Sequence, residues 1–372
     1  MADLTEYREA IGKIDEQMAA LFEERMKICS GIAEYKKEHG LSVKDKAREK
    51  ALIDRNRRLI KDPEIEEYYV QFLNGMLSLS RAYQERLLTG MKVAYSGVEG
   101  AYAYIAAKTM FHEASLECKN DFASAYRSVE NGDCDCAVLP LENSYAGEVS
   151  AVLDLAFSGT LFVDQVVDLP IRHCLLGVPG SSRESIRTVI SHPQALQQCS
   201  DYVRNHGFST REYGNTALAA QKVLESNDPS LGAIASKETA KLNGLTVLDE
   251  NVQDSGINTT RFAVFSRTMD RGKGTENRID DNFILVFTVR NEAGSLAQTL
   301  NIIGAHGYNM KSVRSRPMKE LLWKYFFFAE IEGNINTRNG QDMLKELSAI
   351  CGDLKLLGSY HACVYTDLAE GE

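Results

Sequence analysis

Arg25 occupies a place where an apolar side chain is expected. Leu4, Tyr7, Ile11, Ile14, Met18 and Leu21 recur at steps of three and four, and Ile28 and Ile32 continue the series. That spacing is one face of an amphipathic helix. Between Leu21 and Ile28 the face carries a guanidinium. An unpaired cation on a buried seam costs several kcal/mol, so Arg25 either pairs with a carboxylate across a dimer seam or holds a ligand. Arg8 lies beside the same face and Lys36 near its far end. Arg8 and Arg25 are 17 residues apart, roughly 25 Å of helix, so one small molecule cannot touch both on a single helix. Two long helices running antiparallel would bring Arg8 of one copy near Arg25 and Lys36 of the other. Guanidinium forks for carboxylates and an ammonium for a further oxygen would suit a small dicarboxylate.

Four polar clusters follow later in the chain, each where a strand should hand over to a turn or helix. YSGVEGAY is a GxxG turn whose backbone N–H groups could cradle an anion; it lacks the GxGxxG of a dinucleotide site. LENSYAG presents Glu142, Asn143 and Ser144. SHPQALQQC presents His192, Gln194, Gln197 and Gln198. NTTRF adds two hydroxyls and Arg261 just before a strand. Each alone suits helix capping or loop chemistry, but four at equivalent strand ends suggest a cleft between two lobes.

The elements that must position these groups fall into three segments. Residues 1–90 hold almost no strand signal: a helix from about Leu4 to Lys37 stops at His39-Gly40, a second runs from about Lys44 to Ile60, and a third from about Pro63 to Leu88. Three such helices are too few to close a core, so dimerisation is expected. From Met91 to about residue 270 strand and helix alternate, which predicts an α/β region of mostly parallel strands. Residues 271–282 are polar and Gly-containing, a linker. Residues 283–372 predict a βαββαβ ferredoxin-like unit, with a helix from about Gln341 and a last strand near His361–Tyr365.

The 372 residues carry a net charge of −10, which argues against a nucleic-acid binder. The first 90 residues are nearly balanced, with 16 Lys and Arg against 17 Asp and Glu, so the acidity lies elsewhere. No stretch is apolar enough to span a membrane, and the start lacks the pattern of a signal peptide. The eight cysteines then read as reduced thiols, and a cytoplasmic location is expected. Cys134 and Cys136 form a CxC with no second pair nearby, so no metal is expected.

Residues 1–88 resemble the all-helical chorismate mutases, intertwined dimers of three-helix chains. The family's two helix-1 arginines fall on Arg8 and Arg25, and its lysine on Lys36. Its Asp-x-x-Arg-Glu element is DKARE, giving Asp45, Arg48 and Glu49. Its Ser-x-x-x-Gln is SRAYQ, giving Ser80 and Gln84, an i, i+4 pair on one helix face. The resemblance implies that these eight residues bind chorismate. Lys36 and Gln84 would serve the ether oxygen and Glu49 the ring hydroxyl. The rearrangement to prephenate is unimolecular and needs no cofactor; conformer selection and positive charge at the ether oxygen would supply catalysis.

Residues 91–270 resemble prephenate dehydratase, through ENS, SHPQALQQC and TRF in combination. The resemblance implies a two-lobed, periplasmic-binding-protein-like domain. Thr260 would be the acid for the departing C4 hydroxyl, and Arg261 would hold a carboxylate or order the loop. Glu142, Asn143, Ser144 and Gln198 would line the pocket. Ala101 and Ala103 stand where the family has serines after the GxxG turn.

Residues 283–365 resemble an ACT regulatory domain. The resemblance implies a phenylalanine site at Gly294, Ser295 and Leu296 and at Ser315, Arg316 and Pro317; Arg314 stands where the family has glutamate. Together the resemblances imply a bifunctional chorismate mutase and prephenate dehydratase, a homodimer or homotetramer, feedback-controlled by phenylalanine. Two alternatives are arogenate as the dehydratase substrate and a non-catalytic two-lobed sensor of amino acids.

Overall fold

A computed structural model describes residues 3–269, 282–318, 324–360 and 362–364. The expected linker lies, apart from Asn282, outside the described residues. The chain divides into two compact units, residues 1–92 with 113–115, and the remainder.

The first unit is three helices. In α1 (Leu4–Glu38) the Glu6 carboxylate accepts from the Asp3 N–H at 3.2 Å, and Gly40 with φ +62° turns the chain after it. Asp45 caps α2 (Lys46–Arg57), accepting from the Arg48 N–H at 3.0 Å. Asp62 caps α3 (Pro63–Thr89), which opens on proline, a residue with no N–H to lose. The apolar stripe of α1 is not a buried seam within one chain. Leu4, Tyr7, Ile11, Ile14, Met18 and Leu21 stay 45–65% exposed, because α3 covers only the other end, around Cys29 and Ala33. Tyr68, Phe72, Leu79 and Leu87 extend the uncovered apolar surface along α3.

The second unit begins with β1 (Lys92–Ser96), α4 (Tyr102–Met110), β2 (Ser115–Lys119), α5 (Phe122–Glu130), β3 (Cys136–Asn143), a short β4 (Gly147–Glu148), α6 (Ser150–Ser158) and β5 (Phe162–Pro170). The chain then leaves for a second lobe. There β6 (Cys174–Gly177), β7 (Thr188–Ser191), β8 (Ser209–Glu212), β9 (Leu231–Ala235) and β10 (Thr246–Asp249) form a sheet in the order β10-β6-β9-β7-β8. Helices α7 (Pro193–Gln198), α8 (Ser200–Asn205), α9 (Thr216–Ser226) and α10 (Lys237–Asn243) connect its strands. The return strand, β11 (Thr259–Ser266), inserts between β5 and β3 of the first lobe, antiparallel to both. This return makes the first sheet mixed rather than mostly parallel, since a strand re-entering from the other lobe arrives reversed; in the second sheet β6 runs antiparallel to β9 and β10.

The C-terminal part runs β12 (Asn282–Thr288), α11 (Ser295–Ala305), β13 (Asn309–Pro317), β14 (Tyr325–Glu332), α12 (Arg338–Ile350) and β15 (Leu354–Tyr360). Its sheet order β13-β14-β12-β15 is that of the expected ferredoxin-like unit. The last strand ends at Tyr360, earlier than expected, and β16 (Ala362–Val364) instead joins β5 of the first lobe. One face of this sheet packs on its own helices through Phe283, Leu285, Phe287, Ile303 and Leu347. The other face shares a core with the first lobe, where Ile284, Val286, Phe326, Phe328 and Tyr360 meet Leu139, Leu141, Ala263 and Phe265. Gly358 permits that closeness: a Cβ there would lie 1.9 Å from the Val163 carbonyl oxygen. Lys355 donates to the Ala156 and Gly159 carbonyls at 3.1 and 2.7 Å, placing a cation at the negative end of α6.

Candidate active sites

In the helical unit the structure joins Arg25 of α1 to Ser80 of α3. Arg25 Nη1 donates to Ser80 Oγ, which in turn donates to the Met76 carbonyl at 2.7 Å. The Cys29 sulfur lies 3.8 Å from the same nitrogen. Among the described residues no carboxylate pairs with Arg25. Ser80 and Gln84 are buried one turn apart on α3, and the Gln84 side-chain oxygen has no partner. A buried carboxamide oxygen left unpaired is costly, which makes Gln84 a candidate to contact a ligand. Lys36 donates to the Val43 carbonyl at 2.7 Å. Glu49 pairs with Arg81 at 2.6 Å, a cation that the sequence motifs did not single out. Asp45 serves as the cap of α2, while Arg8 and Arg48 stand exposed.

In the second unit Asn143, at the end of β3, and Thr260, at the start of β11, are register partners and both buried. The Asn143 Oδ1 accepts from the Tyr145 and Ala146 N–H groups at 3.0 and 2.9 Å. Its Nδ2 must therefore face the other way, and it donates to Thr260 Oγ1 and Asn258 Oδ1, each at 2.9 Å. Two consequences follow from donor and acceptor counting. Thr260 receives a hydrogen bond on oxygen, which leaves its own proton to give. Asn258 has its oxygen engaged, and its buried Nδ2 has no partner. Asn258 opens NTTRF, where nothing in the local sequence sets it apart from a turn residue. Ser144 is exposed and clasps the same segment, accepting from the Thr259 N–H at 3.0 Å.

Gln198, at the end of α7, faces His173 at 2.9 Å, and the other ring nitrogen lies 3.1 Å from the Tyr102 hydroxyl. His173 lies just before β6; it and Gln198 are buried and Tyr102 half-buried, so the trio joins the two lobes, while the sequence showed His173 only within a strand-like run. Burial holds the imidazole below the ordinary value of 6.5, against the raising effect of the Gln198 bond. The unfolded chain then takes up a proton near pH 6.5 that the folded chain refuses, so stability falls as pH drops through that value and is fully present above it. Melting temperature is expected to decline below about pH 6.5, and His173→Gln is expected to flatten that decline relative to the parent. An unchanged slope would mean that His173 is not held neutral. His192 is the cap of α7, its Nδ1 accepting from the Gln194 N–H at 3.2 Å.

Glu142 and Arg261 do not join Asn143 and Thr260. Arg261 pairs with both Asp168 oxygens at 2.8 and 3.2 Å and with Glu330 at 2.9 Å. Glu330 also accepts from the Tyr360 hydroxyl at 2.6 Å. Glu142 pairs with Arg314. The cause is a bulge at Leu141: Phe262 pairs with Pro140 but Arg261 with Glu142, so one residue of β3 is skipped. Strict alternation after Leu139 and Leu141 would put Asn143 on the side of the shared core and Glu142 on the opposite side; the extra residue exchanges them. Arg316 also turns to the first lobe, meeting Glu148 at 3.0 Å, Ser150 at 2.8 Å and Asp154 at 3.2 Å. Ser315 and Pro317 are exposed on the outermost strand, and Gly294, Ser295 and Leu296 open α11.

The sequence profile described as chorismate mutase type II matches residues 7–85, and that of prephenate dehydratase matches residues 93–270. A bifunctional chorismate mutase/prephenate dehydratase of Aquifex aeolicus is 31% identical over 371 residues, which cover 97% of this chain and 98% of that protein. The chain belongs to the bifunctional chorismate mutase/prephenate dehydratases. As a member of that family it is an enzyme with two activities, and its helical mutase domain precedes the dehydratase domain. An arogenate dehydratase/prephenate dehydratase of Arabidopsis thaliana is 32% identical, covering 73% of this chain and 72% of its own. A prephenate dehydratase of Arthrobacter aurescens, solved in complex with L-Phe, is 27% identical with a TM-score of 0.66, over 73% of this chain and 89% of that one. Among the described residues no helix of this bifunctional enzyme is long and apolar enough to cross a membrane.

Proposed function

We propose that two separate residue sets carry the two reactions, rearrangement of chorismate to prephenate and conversion of prephenate to phenylpyruvate. Arg25, Ser80, Gln84, Lys36 and Glu49 take chorismate, with Asp45 and Arg48 at the start of α2. Arg8 comes from a second copy, whose matching stripe covers the exposed apolar face of α1 and makes the enzyme at least a dimer. In the rearrangement the ether C–O bond breaks as a C–C bond forms. Arg25 grips a carboxylate, while Lys36 and Gln84 offset charge on the ether oxygen.

In the cleft prephenate loses its ring carboxylate as CO₂ while the C4 hydroxyl leaves as water. Thr260 gives the departing oxygen its proton, and aromatisation drives the step, so a weak acid held in place suffices. The observation that carries this reading is the Asn143 amide bonded to Thr260 Oγ1 at 2.9 Å, which frees the hydroxyl proton. Gln198 and the unpaired Asn258 amide are the other polar groups offered to the substrate. Ser144, Glu142 and Arg261 support the pocket from behind.

The C-terminal sheet is an ACT domain that binds phenylalanine between Gly294, Ser295 and Leu296 and the Ser315–Pro317 strand end, a second copy completing the site. The domain boundaries are residues 1–90, 91–270 and 283–372, and the location is cytoplasmic. Following chorismate into both prephenate and phenylpyruvate, with arogenate supplied in parallel, tests the whole reading; no prephenate, or turnover of arogenate alone, would overturn it. Millimolar phenylalanine is expected to lower the dehydratase rate and to raise the melting temperature, since a hundredfold excess over Kd stabilises by about 2.7 kcal/mol. No effect on either would leave the C-terminal sheet purely structural.

A further inference from the structure

Behind the cleft pair Asn143 and Thr260 lies a second pair made of their chain neighbours. Glu142 and Arg261 are register partners, as Asn143 and Thr260 are, and point to the opposite face. Both are held by the C-terminal sheet. Glu330 of β14 takes Arg261, and Arg314 of β13 takes Glu142. The Arg314 side chain is only 15% exposed and its guanidinium lies 5.8 Å from the Phe328 ring centre, which restricts its approach. One strand edge therefore sets the position of a residue whose neighbour aligns the proton donor.

Glutamate at position 314 would face Glu142 with like charge. Arginine there turns that contact into an attraction across a shared core. Fixing Glu142 fixes the end of β3 just past the Leu141 bulge, where the ladder has shifted by one residue before it resumes on β11 and β4. Asn143 follows directly, and its carboxamide is the group that orients Thr260 Oγ1.

We propose that Arg314 is a positioning residue for the dehydratase reaction, acting through Glu142 to hold Asn143 against Thr260. It does not touch the substrate. The proposal rests on the assignment of the cleft made above. Misplacing a reacting group by about 1 Å can cost about a hundredfold in rate, and an ion pair acting as one unit makes its two partners non-additive.

Steady-state dehydratase kinetics on prephenate test this in the full-length enzyme, with mutase turnover on chorismate as the control for intact protein. Arg314→Gln and Glu142→Gln are each expected to lower kcat about tenfold with little change in KM, and the double variant to lose no more than either. Exchange of the two charges, Arg314→Glu with Glu142→Arg, is expected to recover kcat to within about threefold of the parent. Losses that multiply in the double variant, or an unchanged kcat in Arg314→Gln, would overturn the proposal. Should Arg314→Gln fail to fold, the isosteric Glu142→Gln carries the test, and an unchanged kcat there has the same meaning. Thr260→Val separates the two levels. If it abolishes dehydration while the Arg314 series is neutral, only the positioning role falls; if it retains dehydration, the cleft assignment itself falls.

Discussion

Arg25→Ala is expected to lower mutase kcat/KM by about 10²–10⁴ while dehydratase turnover of supplied prephenate stays near that of the parent. Removing one member of a buried charge-assisted contact costs about 3–5 kcal/mol, and each 1.36 kcal/mol is about tenfold in rate. The guanidinium meets a hydroxyl and a sulfur but, among the described residues, no carboxylate, which suits the proposed role of gripping a substrate carboxylate. Arg25→Lys should recover part of the loss, since it restores charge without the bidentate fork. Separate assays on chorismate and on prephenate check this. An equal fall in both activities would show that Arg25 supports the protein as a whole and not one site.

The mirror experiment is Thr260→Val, which replaces the hydroxyl by a methyl at nearly constant volume. Dehydratase kcat is expected to fall by about 10²–10⁴, the range for loss of a positioned general acid, with mutase turnover unchanged. Thr260→Ser keeps the proton and should retain most of the rate. Asn143→Ala should resemble Thr260→Val in direction but be milder, because it removes the bond that orients the hydroxyl and leaves the proton itself. A Thr260→Val enzyme with near-normal dehydration would move the acid elsewhere, and the unpaired Asn258 amide or a bound water would then have to be tested in its place.

Several elements of both sites were legible from local pattern alone. The three- and four-residue steps of α1, the proline that opens α3 and the i, i+4 spacing of Ser80 and Gln84 depend on neighbours within a few residues. So does the placing of Asn143 and Thr260 at strand ends. The intruding cation at Arg25 was visible because an amphipathic face admits few exceptions. What covers the rest of that face was not, since one chain leaves Leu4 through Leu21 exposed.

Only the tertiary structure decided which side of β3 and β11 each polar group occupies. Residue types and order placed Glu142 and Arg261 beside the cleft pair, and alternation is a period-two rule that a single inserted residue reverses. The bulge at Leu141 exists only in the pairing of β3 with a strand more than a hundred residues later, so nothing in the segment LENS announces it. The same distance hid the Arg81 partner of Glu49, the His173–Gln198–Tyr102 trio and the hold of Arg314 on Glu142. Local sequence determined the helices, the strand ends and the chemical groups available; long-range pairing determined which of those groups meet each other, because strand register and side-chain contacts join residues far apart in the chain.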